Sequence, residues 1–147
     1  MTKTLLLVLV LALLVGCGGW QSVHAPIASS LMEASSSGET ILREARVESM
    51  RSGGQAARDS GGDDTAVRAA VEAAAAGFEC PVAAFNVFAG RVHAYVRELV
   101  AALAEEREPD WSRIILDLSA ALEGYRAADA CTDLDLPALP ALPEGWL

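Results

Sequence analysis

The chain has 147 residues, with eleven basic against twenty acidic side chains and a net charge of −9. Nucleic-acid binding needs a basic footprint and adsorption to anionic headgroups needs a polybasic patch, so this balance argues against both. Alanine is the commonest residue, only 5% of residues are aromatic and β-branched residues never cluster, a composition that favours helix over sheet.

The N-terminus opens with Met1-Thr2-Lys3-Thr4, whose one charged side chain is basic, and continues with Leu5 to Val15, all Leu, Val or Ala. At about 1.5 Å per residue this run spans roughly 16 Å, half of a ~30 Å hydrocarbon core. It is too short to cross a bilayer and has the length of the apolar region of a secretory signal. Its end, Leu14-Val15-Gly16-Cys17, resembles the lipobox of bacterial lipoproteins, where an aliphatic residue, a small or aliphatic residue, then Gly or Ala precede an obligatory Cys. The resemblance covers residues 1–17. It implies that residues 1–16 are cleaved as a signal peptide, and that Cys17 becomes the first mature residue and carries covalent lipid, with no other cofactor. Two or more acyl chains hold a protein firmly where one does not. Gly18 stands where such proteins carry Asp when retained at the inner membrane. The resemblance therefore implies an anchor in the outer membrane, on its periplasmic face.

Residues 17–26 read as a lipidated tether to the fold. From Ile27 to about Arg51, apolar residues at Ile27, Leu31, Ala34, Ile41, Leu42 and Ala45 follow helical spacing, with Ser35-Ser36-Ser37-Gly38 as a weak point where the helix is expected to break. Residues 52–62, with two Gly-Gly pairs and little that is apolar, predict a flexible loop. Asp63-Asp64-Thr65 offers caps for an Ala-rich helix from Ala66 to Ala76, and Gly77 ends it. Between Pro81 and about Arg107, Phe85, Phe88, Val92, Tyr95, Leu99 and Ala102 form an apolar stripe, with Arg91, Arg97, Glu98 and Glu105 off it. Glu108-Pro109-Asp110 breaks the chain. Trp111, Ile114, Ile115, Leu118, Ala121, Leu122 and Tyr125 then form a second stripe, with Arg113, Asp117, Glu123 and Arg126 on the other side. The short break makes these two helices an antiparallel hairpin.

With Cys17 assigned to lipid, Cys80 lies just before one of these helices and Cys131 just after the other. At an open hairpin end the two meet, and an oxidising compartment would join them. Two reduced thiols, or disulfides between chains, are the alternatives. After the helices, residues 136–147 carry Leu-Pro-Ala repeated every three residues, the period of polyproline II. That register puts Pro137, Pro140 and Pro143 on one edge and Leu136, Leu139 and Leu142 on another. Either the leucine edge, with Trp146, covers a groove on the bundle, or the tail (Pro137, Leu139, Pro140, Leu142, Pro143 and Trp146) is recognised by a partner.

Chemistry is sparse. His24 falls in the tether and His93 on the helix beginning near Pro81, where it reads as a boundary-packing side chain. Neither belongs to a cluster at metal-ligand spacing, and no nucleophile or phosphate-loop pattern appears. Asp59, Asp63 and Asp64 do not fit a calcium loop. The expectation is an all-α fold: a small bundle of three to four helices over residues 27–135, with a C-terminal antiparallel hairpin stapled by a disulfide and an extended Pro-rich tail. The functional expectation is a non-enzymatic outer-membrane lipoprotein with a structural or interaction role and an envelope protein as partner. Short lipobox proteins with proline-rich tails also resemble the outer-membrane subunits of phage spanins, the features here being Cys17 and Pro137, Pro140 and Pro143. An immunity-type lipoprotein and a small-ligand-binding bundle are further alternatives.

Overall fold

The computed structural model describes residues 19–143. Four helices follow in order: α1 (Trp20–Asp59), α2 (Asp64–Ala76), α3 (Glu79–Ala104) and α4 (Trp111–Ala130). Among the described residues there is no strand, and the fold is the expected all-helical bundle with a stapled hairpin and an extended tail.

The largest departure from expectation is α1. It runs unbroken for 40 residues, or about 60 Å at 1.5 Å per residue, through segments that read as a tether, a break and a loop. The reason lies in what those segments touch. Ser35 and Gly38 are both buried, and the Phe85 ring of α3 lies directly against the Gly38 backbone, where a Cβ would collide with it. Gly53 and Gly54 do the same for α2: a Cβ at Gly54 would come within 3.0 Å of Val71, and one at Gly53 within 3.4 Å of Ala70 and Ala74. These glycines cost helix propensity, about 1 kcal/mol each relative to Ala, and return it as close helix packing. The helix ends where Gly61, at φ +81°, reverses the chain and the Gly62 N–H bonds the Ala57 carbonyl at 2.9 Å.

The other helices start and stop close to the expected positions, for local reasons. Asp63 caps α2 by accepting from the Ala66 N–H at 2.9 Å, and Asp110 caps α4 by accepting from the Arg113 N–H at 3.1 Å. At the end of α3, Glu106 adopts φ +52° and the Arg107 N–H returns to the Ala102 carbonyl at 2.9 Å.

That turn carries the chain back along α3. The Asp110 N–H donates to the Glu98 carboxylate at 2.9 Å, so α4 begins beside Glu98 and not beside Ala104. The offset is six residues, about 9 Å of rise. It absorbs the length difference between the 26-residue α3 and the 20-residue α4. Cys80 and Cys131 therefore meet at the far end, bonded, with Cα atoms 5.9 Å apart. Their separation of 51 residues corresponds in the chain-entropy account to up to ~4 kcal/mol of stabilisation.

The core is built around α3. Phe85, Phe88, Val92, Tyr95 and Leu99 are buried against Ala28, Leu31 and Met32 of α1 and against Ile114, Leu118 and Ala121 of α4. Gly124 lets α4 approach closely: a Cβ there would sit 2.8 Å from the Phe88 nitrogen. In the second half of α1, Leu42 still reaches the core beside Val82 and Phe85, and farther on the helix packs on α2, which contains no buried residue. The molecule is thus a three-helix body from which a two-helix arm extends. The second stripe is corrected at one position, since Ile115 is 45% exposed and lies off the core face.

Candidate functional site

Three places concentrate polar or aromatic side chains. The first is where α1 begins. His24, expected in a tether, is buried on α1, and its Nδ1 lies 3.0 Å from the hydroxyl of the fully buried Tyr95. The Trp111 ring lies 4.9 Å from the imidazole at a tilt of 36°, and Trp20 meets Trp111 edge-on at 6.0 Å. Burial lowers the His24 pKa below 6.5 and holds the Tyr95 phenol protonated far above its usual range. Both groups are therefore neutral at neutral pH. They form a buried hydrogen-bonded pair that joins α1 to α3.

The burial of His24 belongs to a positional stripe that a hydropathy reading passes over and that the structure reveals. His24, Ala28, Leu31, Ser35, Gly38 and Leu42 follow spacings of 4, 3, 4, 3 and 4, and all six are buried. Small or polar residues fill four of those six positions, so the stripe is regular in position but weak in hydrophobicity. His93, the other histidine, is exposed on α3 rather than packed at a boundary.

The second place is the seam between α3 and α4. Glu98, placed off the stripe by its sequence, is buried and accepts from the Arg107 Nη1 at 2.7 Å and from the Asp110 N–H. Those two hydrogen bonds pull its pKa below the ordinary carboxylate value of 4.5. Glu98 thus holds the returning loop in place. Asp117, expected on the solvent side of α4, is also buried. One oxygen accepts from the Arg91 Nη1 at 2.9 Å; the other, Oδ2, is buried with no hydrogen-bond partner among the described residues, Arg113 Nε being 4.0 Å away. Asp117 faces a groove between α3 and α4 floored by Gly90 and Ala94.

The third place is the tail. Leu134, Leu136, Leu139 and Leu142 pack against the core, and the Tyr125 hydroxyl donates to the Pro137 carbonyl at 2.6 Å. The segment from Pro137 to Pro140 lies beside Ser30, Ala34 and Ser37 of α1. Of the two expectations for the tail, the leucine edge lies on the bundle, leaving Pro140 and Pro143 half-buried. Trp146 and the lipobox cysteine Cys17 lie outside the described residues.

Among the described residues, no three His, Cys, Asp or Glu side chains are grouped to hold a metal ion. No single helix there is long and apolar enough to cross a membrane. No family model, curated protein or solved structure matches the chain.

Proposed function

We propose that the protein is a lipid-anchored lipoprotein of the bacterial envelope, held through Cys17 on the periplasmic face of the outer membrane, and that its helical body is a non-enzymatic interaction module. The observation that carries the reading is the run from Lys3 through the apolar segment to Leu14-Val15-Gly16-Cys17. The bonded Cys80–Cys131 pair supports it, because such bonds persist in oxidising compartments. The non-enzymatic part is supported by the use made of each buried polar group. His24 pairs with Tyr95, Glu98 holds a loop and Asp117 takes an arginine, so these side chains are engaged in packing the helices together.

The test is acyl labelling of the full chain in a bacterial host with a fatty-acid probe, followed by membrane fractionation. The expected result is a labelled, membrane-bound mature protein, and a Cys17→Ser variant that takes no label and leaves the membrane fraction. An unlabelled wild-type protein with a free Cys17 thiol would overturn the reading.

A further inference from the structure

The outer face of the α3–α4 hairpin, turned away from α1, is a groove built from residues that are expensive to leave in water. Leu116 of α4 is 69% exposed and Val87 of α3 50%, and they line it together with the small residues Gly90 and Ala94. A Cβ at Gly90 would meet nothing within 4 Å, so the floor is open to an incoming side chain. Small residues between two apolar walls are what ridges-into-grooves packing of a third helix requires.

The charge on this face runs against the rest of the molecule. Of the ten arginines in a chain with twenty acidic residues, Arg91, Arg97 and Arg113 line this one groove, against the single carboxylate of Asp117. Asp117 is already engaged by Arg91 at 2.9 Å and by Arg113 at 4.0 Å, so the groove keeps a net positive charge.

We infer that this groove is a docking site for an amphipathic helix of a partner protein, one that sets acidic side chains against Arg97 and Arg113 and an apolar row against Leu116 and Val87. A second copy of this chain is the poorer occupant. Two such faces brought together would oppose arginine to arginine, and like charges across an interface select against pairing. An acidic helix gains at the same positions what a second copy loses. The inference deepens the interaction role proposed above; it rests on that role and not on the lipid anchor.

The experiment uses the full chain in the cells that make it, carrying a photo-crosslinking amino acid at Leu116 or, in separate variants, at Val47 on α1 and Arg68 on α2. The expected result is an adduct from Leu116 whose crosslinked partner segment is helical and net acidic. It should fall at least tenfold when Arg97→Glu and Arg113→Glu are combined, and remain unchanged with Arg68→Glu. Both arginines are exposed, and an unaltered melting temperature checks the fold. Should the reversal unfold the chain, the neutral pair Arg97→Gln and Arg113→Gln serves, with the same loss of adduct expected. Self-adducts, a partner segment without acidic excess, or an adduct indifferent to the arginines would overturn the inference. Adducts from Val47 or Arg68 alone would overturn the groove and leave the interaction role standing, whereas no adduct from any position would overturn both.

Discussion

At Gly38 one hydrogen atom in place of a methyl group allows the first helix to reach the core. The Phe85 ring occupies the space a Cβ would need and is itself buried. Gly38→Ala should therefore cost about 1–3 kcal/mol of overpacking, partly offset by the ~1 kcal/mol helix preference of Ala. Gly90→Ala, at a helical glycine with nothing in its way, should instead gain about 0.5–1 kcal/mol. Urea unfolding of the two variants checks the contrast; an equal gain in both would mean that Phe85 does not pack on Gly38. His24 offers a different residue-scale test, through pH. Its folded pKa lies below the unfolded value of 6.5, so the unfolded chain binds more protons in the interval between the two. The stabilisation is then complete above pH 6.5 and lost as pH falls toward the folded value. Glu98 acts in the same direction but lower, its contribution fading only as pH falls below 4.5. Melting temperature should decline as pH falls below 6.5 in the wild type, and this decline should be weaker in His24→Phe. An unchanged slope in the variant would assign the decline to other groups.

Among the elements, the arm and the body are held by different amounts of packing. Helix α3 carries buried residues along its length, whereas α2 has none and meets α1 at Gly53 and Gly54 with partly covered Val67, Ala70 and Val71. Regions with few buried apolar contacts open at free energies well below the global value. Amides of α2 and of α1 beyond Gly53 should thus exchange with deuterium at least tenfold faster than those of α3 between Phe88 and Leu99. Equal protection would show that arm and body unfold as one unit. The same contrast explains which elements could be read from the sequence. The limits of α2, α3 and α4 follow from strong stripes, Asp caps and a Pro-containing break, all of them local signals. The full length of α1 does not. Its Ser and Gly residues are poor helix formers in isolation, and only the ring of Phe85 and the surface of α2 make them the right residues for a helix.

For the whole molecule, the consequence of a lipidated Cys17 is orientation. Two residues separate it from Trp20, a reach of about 10 Å at ~3.5 Å per residue, so the body would sit close to the membrane at its His24 end. Helix α1 would then carry the arm some ~60 Å away, since an acidic surface gains nothing by lying on anionic headgroups. With the lipidated protein on vesicles, a headgroup-bound quencher should reach a fluorophore at Ser22 and leave one at Ser52 bright. Equal quenching of the two would mean that α1 lies flat.

The sequence by itself determined the helical class, three of the four helices and the threefold period of the tail, and it placed Cys80 and Cys131 at the open end of the hairpin, where the structure bonds them. Each of these depends on spacing along the chain, where neighbours in sequence are neighbours in space. Only the tertiary structure decided that α1 is continuous, that His24, Glu98 and Asp117 are buried, that the leucine edge of the tail lies on the bundle, and that Val87 and Leu116 are left uncovered beside three arginines. These outcomes depend on which helix lies against which. A glycine, a histidine or a carboxylate takes its role from a partner tens of residues away, and no local pattern names that partner.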